Sequence, residues 1–212
     1  MEEINVLEVY LFINPLGSRC MKSEQYILKL ADEIFDHISY QFIPLLTPQM
    51  IDQQLKCDQE DYHDLRLRNQ VFQLHYQAIL DYKAALFQGK KRGRQFLMAL
   101  QDALITDDEH YCDDLVMSVA DESHLDVDMF GEDRRSDIAK RAFQADQRLA
   151  SEMKVEAPST AILYNADVSD YGLMLNDVTD QTLFEVCENQ GLLANQALAK
   201  QKTEDHPNFH IL

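Results

Sequence analysis

Cys20 is the side chain in this sequence whose position best suits chemistry. It closes the segment Asn14-Pro15-Leu16-Gly17-Ser18-Arg19-Cys20, which follows an apolar run and opens a helical pattern. A cysteine near a helix start becomes a nucleophile when the local field draws its thiol towards thiolate. Thiol–disulfide exchange then needs a second thiol to resolve the mixed disulfide. Cys57, Cys112 and Cys187 are far away in sequence, and no CxxC pair exists. Cys20 therefore reads either as a lone redox-sensing thiol or as a buried, inert cysteine on the apolar face of its helix. Free cysteines are among the most buried residue types. Ser18, in the same segment, reads as the helix N-cap. In a reducing compartment all four cysteines are expected to be thiols.

Other chemical constellations are weaker. Asp58, Glu60, Asp61, His63 and Asp64 form one acidic group, and Asp107, Asp108, Glu109, His110, Asp113 and Asp114 another. Neither has the ligand spacing of a zinc motif or a calcium loop, so no metal is expected. The seven histidines are scattered and suggest no Ser-His-Asp or Cys-His arrangement. Lys90, Lys91, Arg92 and Arg94 make a basic cluster on an acidic chain. They read as an anion or partner contact, or as a solvated junction between helices. Ala157-Pro158 precedes an apolar run. Backbone exposed beside that proline could pair with an extended peptide, or the proline could only shape the turn.

The elements that position these residues follow from hydrophobic periodicity. Val6 to Ile13 is a near-continuous β-branched and aromatic run, as in a strand buried on both faces. From Cys20 the apolar positions step through Ile27, Leu30, Ala31 and Ile34, a helix of roughly 17 residues. Ile38 to Leu46 reads as a second strand with Pro44 late in it or at a bulge. This βαβ unit is expected to be right-handed. From about Thr47 to Met153 no strand is expected. Helices are predicted over Leu67–Ala85, Phe96–Leu104, around Leu115–Val119, and over Ile138–Met153, with a break between Gly89 and Gly93. Ser159–Tyr164 and Tyr171–Leu175 then read as an antiparallel hairpin, and Thr179-Asp180 caps a last helix over Thr182–Asn189. Residues 191–212 are expected to be a weakly ordered tail or a frayed helix.

The order βαβ, helices, ββα defines an α/β protein. It is a thioredoxin-like core at 1–56 and 154–190, with an inserted all-helical subdomain at 57–153 and a tail at 191–212. The chain has 212 residues, 37 acidic and 19 basic, for a net charge of −18. Such a surface repels phosphate and anionic lipid, which argues against general nucleic-acid or membrane-surface binding. The start, Met-Glu-Glu-Ile-Asn, is acidic where a secretory signal is basic, and Val9–Ile13 is too short to span a bilayer. The expected location is the cytoplasm.

These segments resemble a known family. Asn14 to Cys20 is similar to the [DN]-P-x-C-x-x-C turn of DsbA-like thioredoxin-fold proteins. QGKKRGRQFLMALQDALIT (88–106), SHLDVDMF (123–130) and VEAPSTAILYN (155–165) follow in the order of the FrnE-like branch. That branch includes dithiol-disulfide isomerase-like proteins. It also includes cytoplasmic adaptors that deliver an Spx-type stress regulator to the ClpXP protease. The resemblance implies that Gly17 stands at the attacking cysteine, Cys20 at the resolving cysteine, and Pro158, after Ala157, at the cis-proline facing the turn. Glycine has no nucleophile, so the dithiol cycle cannot run through Cys20 alone. The resemblance thus points to an adaptor with a peptide-binding site at Gly17, Ser18, Ala157 and Pro158, and with no cofactor. The alternatives it implies are a monothiol oxidoreductase using Cys20, or a glutathione-dependent transferase or isomerase using Ser18.

Overall fold

The computed structural model describes residues 7–34, 38–165 and 171–189. The element order is β1 (Leu7–Ile13), α1 (Ser18–Ile34), β2 (Ile38–Pro44), α2 (Pro48–Cys57), α3 (Leu65–Phe87), α4 (Lys90–Gln101), a π-helical turn (Asp102–Thr106), α5 (Asp113–Glu122), α6 (Val127–Asp133), α7 (Asp137–Glu152), β3 (Thr160–Tyr164), β4 (Leu173–Asn176) and α8 (Asp180–Asn189). The four strands form one sheet in the order β2-β1-β3-β4. The β3–β4 pair is antiparallel, with Thr160 opposite Asn176 and Leu163 opposite Leu173. The expected hairpin is present, but its second strand begins at Leu173; Tyr171 is 80% exposed.

Packing divides the chain into two compact units. Of the described residues, the first contains 7–11, 23–34, 38–41, 160–165 and 171–189. Its interior holds Leu7, Val9, Leu11, Ile27, Leu30, Ala161, Leu163, Val178 and Leu183, all buried. The Ser23 hydroxyl donates to the Val178 carbonyl at 3.1 Å. Lys29 pairs with Asp180 at 2.8 Å. Thr179 caps α8 as expected, its hydroxyl accepting from the Thr182 amide at 3.1 Å.

The second unit contains 12–22 and 42–159. This division cuts through β1, α1 and β2, whereas the sequence placed its boundaries near residues 56 and 154. The reason is local. Leu45 N–H donates to Ile13 C=O at 2.8 Å, and Ser159 N–H to Phe12 C=O at 2.8 Å. Leu46, Ile51 and Leu55 pack with Ile79, Leu80, Ala139 and Phe143. A second cluster gathers Ala78, Ala84, Ala85, Phe96, Leu100, Val116, Ala120 and Phe130.

The helix break falls at Gly89, which takes φ +118° before α4, while Gly93 lies inside α4. A Cβ at Gly93 would sit 2.6 Å from Leu86 Cδ2 and 3.0 Å from Leu86 Cα. The missing side chain lets α4 close onto the end of α3. Two short helices, α2 and α6, were not separated from the helical block by periodicity. Each is started by a side-chain cap: Thr47 accepts from Met50 N–H, and Asp126 from Met129 N–H. The expected tail at 191–212 lies outside the described residues.

Candidate functional site

The turn from β1 into α1 is built around Asn14, which is 7% exposed. Its side-chain oxygen accepts the Leu16 amide at 3.0 Å. Its carbonyl accepts the Gly17 amide at 2.9 Å. Helix α1 starts at Ser18, and its first-turn bond runs from Met21 N–H to Gly17 C=O at 3.0 Å. Gly17 therefore holds the capping position, and Ser18 is an exposed first helical residue rather than the cap. Asn14 closes the turn, and the helix cap expected at Ser18 falls at Gly17.

Cys20 is 2% exposed, and its Sγ accepts the Asn14 backbone N–H at 3.2 Å. Of the two sequence readings, the buried thiol on the apolar helix face is the one the geometry matches. Cys57 and Cys112 are exposed thiols. A Cβ at Gly17 would lie 3.3 Å from both Cβ and O of Asn14, so this position is crowded by the turn itself.

One functional neighbour was missed from sequence. His75 on α3 is buried, and its Nδ1 lies 2.9 Å from Asn14 Oδ1. That oxygen already accepts a backbone N–H, so Nδ1 carries the proton and donates. Burial lowers the His75 pKa to about 4, against a small opposing pull from Asp58. At neutral pH the ring is uncharged. Only its place in the middle of the predicted amphipathic helix could have marked His75 as inward-facing.

Pro158 is half-buried and Ala157 exposed. No cis peptide bond occurs among the described residues, so the Ala157–Pro158 bond is trans. The chain instead turns into β3 through Ser159, which adopts φ +62° and is fully buried. Its amide bond to Phe12 ties this segment to the strand end just before Asn14.

A second polar cluster lies within the helical block. Arg134 bridges Asp81 at 2.7 Å and Asp113 at 2.9 Å, and Tyr111 donates to Asp81 at 2.5 Å. Burial holds the Asp81 carboxyl above its ordinary pKa against the opposing pull of Arg134. Burial also raises Tyr111, reinforced by Asp81. Lys83 and Asp146 form another buried pair at 2.7 Å. These ion pairs tie α3, α5, α6 and α7 together, although Asp146 Oδ2 meets Lys83 as an ion pair without a well-aligned hydrogen bond; breaking such a pair typically costs about 3–5 kcal/mol. Among the described residues, no three His, Cys, Asp or Glu side chains converge to hold a metal.

A β1–α1 turn feeding a four-stranded sheet, with a helical block between β2 and β3, is the arrangement of a DsbA-like thioredoxin fold. The thioredoxin family profile matches residues 10–186, and the chain belongs to that family. Its curated relatives include proteins named ClpXP adapter protein SpxH. The one from Bacillus subtilis (strain 168) is 28% identical over 204 residues, covering 85% of this chain and 67% of the relative. That from Staphylococcus saprophyticus is 26% identical over 190 residues, covering 90% and 68%. Among solved structures, the cytosolic disulfide reductase DsbM of Pseudomonas aeruginosa superposes with TM-score 0.59 at 15% identity, covering 91% of this chain and 99% of that one. The thiol-disulfide exchange protein alpha-DsbA2 of Wolbachia pipientis gives 0.54 at 13%, covering 89% and 82%. These two likenesses establish the fold. Among the described residues, no helix is long and apolar enough to cross a membrane.

Proposed function

We propose that this chain is a cytoplasmic binding adaptor that presents an Spx-type stress regulator to the ClpXP protease. The observation that carries this reading is the similarity, over 85–90% of the chain, to proteins named ClpXP adapters. The turn supports it physically. Gly17 offers no nucleophile, and the Cys20 thiol is shut in and engaged by a backbone N–H. Recognition then proceeds without bond making or cofactor. The adaptor raises the client's effective concentration at the unfoldase. The client-binding face includes Gly17, Ser18, Ala157 and Pro158, beside which an extended segment of the client pairs with the backbone.

The test is calorimetric titration of a purified Spx-type regulator into the protein under reducing conditions, followed by ClpXP degradation of that regulator with and without the protein. The expected result is a complex of about micromolar affinity or tighter, roughly −8 kcal/mol, and faster client turnover, both preserved in Cys20→Ser. No complex and no acceleration would overturn the proposal. Peptide mapping after oxidised glutathione adds a check on chemistry. Adducts are expected on exposed Cys57 and Cys112, and on Cys20 only after unfolding. A native adduct at Cys20 would favour a redox role.

A further inference from the structure

The corner between α3 and α4 carries cations that the fold does not use. In the stretch Gln88 to Gly93 every other residue has a structural task. Gln88 exchanges hydrogen bonds with the Asp126 backbone, at 2.9 Å to its carbonyl and 2.7 Å from its amide. Gly89 supplies the positive φ, and Gly93 the close approach to Leu86. Lys90, Lys91 and Arg92 are exposed, and among the described residues none of them forms an ion pair. They occupy the first turn of α4, the end of a helix where cations are disfavoured by its dipole. Phe87, the last residue of α3 and three positions before Lys90, is 41% exposed. Stability accounts for neither feature. Elsewhere the chain is strongly acidic, at −18 overall, and this is its one run of three consecutive basic residues.

We propose that this corner is a docking surface for an acidic segment of a partner protein. Lys90, Lys91 and Arg92 take its carboxylates, and Phe87 takes an apolar side chain beside them. Charge complementarity selects the occupant: a local positive patch on a negative protein attracts a short anionic segment and orients it. A nucleic acid fits less well. It carries a charge about every 1.7 Å along a duplex and meets repulsion wherever it leaves the corner. An exposed aromatic also favours a segment that brings an apolar anchor. The surface uses none of Gly17, Ser18, Ala157 and Pro158, so it stands whether or not those residues bind a client.

The experiment is fluorescence anisotropy with a short labelled peptide of glutamates and leucines, titrated with the full chain at low and physiological salt. Saturable binding that weakens with salt is expected. The combined variant Lys90→Gln, Lys91→Gln, Arg92→Gln should bind about tenfold more weakly, with an unchanged circular dichroism spectrum. Phe87→Ala should lose about threefold with the salt dependence retained. Absence of binding to the wild-type chain, or equal binding by the triple variant, overturns the proposal. So does a single-stranded RNA of matched charge that competes as well as the peptide, because the corner would then read charge alone.

Discussion

Two helix starts in the second unit are built in opposite ways. At the start of α1 the chain turns inward: Asn14 is buried, three of its polar atoms are bonded, and Cys20 and His75 close around it. At the start of α4 the chain turns outward, with Gly89 in open space and three exposed cations in the first turn. Both starts lack a side-chain cap from the residue just before the helix; both have glycine there. The difference teaches where to look for function. The first turn is filled by hydrogen bonds that hold structure. The second has no structural need for its charges and still displays them.

The sharpest way to break this contrast is Asn14→Ala. It leaves the Leu16 N–H and the His75 Nδ1–H without their acceptor in a buried place. An unmade buried hydrogen bond costs about 1–3 kcal/mol, so urea unfolding should show a loss of about 3 kcal/mol. A loss below about 0.5 kcal/mol would mean that the inward turn is not what holds α1 in place.

The next effect is pH-dependent. His75 is held neutral in the fold, at about 4 against an ordinary 6.5. The unfolded chain therefore takes up a proton more readily than the folded one. The stability that depends on a neutral ring is complete above pH 6.5 and falls as pH drops towards about 4, with no further change below. The stability of the wild type minus that of His75→Gln should shrink by about 2–3 kcal/mol across that window, since one pKa unit corresponds to about 1.4 kcal/mol. Taking the difference removes Asp81 and Asp146, whose raised pKa values act in the opposite sense. A pH-independent difference would place His75 outside the buried network.

The glycines sharpen the contrast further, because they are constrained for different reasons. Gly89 has room for a side chain but a backbone, φ +118° and ψ 146°, that other residues avoid. Gly17 has no such positive φ but has Asn14 atoms 3.3 Å from its would-be Cβ. Gly89→Ala should cost about 2 kcal/mol of strain. Gly17→Ala should cost about 1 kcal/mol, since Asn14 need give by only a few tenths of an ångström. The reverse order in urea unfolding would show that the inward turn is the more rigid of the two.

Much of this contrast was legible beforehand, and the missing parts have physical reasons. Strand β1, the 17-residue α1, the hairpin and the long helices α3 and α7 follow from apolar spacing, which depends on neighbours in sequence. The DsbA-like order of elements follows from them. His75 was invisible because its partner, Asn14, is 61 residues away, and one histidine on a helix carries no sign of what faces it. The cap at Ser18 was misplaced because propensity favours serine, while the fold used Asn14 three residues before the cap. The isomer of the bond before Pro158 was not legible, because a cis or trans X-Pro bond is decided by packing and not by the residue types beside it. Arg134 and Arg135 are adjacent in sequence and alike in chemistry, yet Arg134 is 2% exposed and Arg135 72% at the side chain. Only the position of Asp81 on the facing helix separates them.

The smallest predicted effect tests the outward side of the comparison. Lys90→Gln, Lys91→Gln, Arg92→Gln together should change folding stability by no more than about 0.5 kcal/mol, the range of surface substitutions that break no buried feature. Two weak terms oppose each other. Removing cations from the first turn relieves their clash with the helix dipole, while a chain three charges more negative repels itself slightly more. Neither touches a buried contact, because all three side chains are exposed and form no ion pair among the described residues. A loss above about 1.5 kcal/mol, the scale of a lost buried hydrogen bond, would make these cations structural. The two helix starts would then differ only in which side chains hold them, and the case for a docking surface at α4 would go with the difference. A near-zero change together with lost peptide binding is the combination that structure alone does not produce.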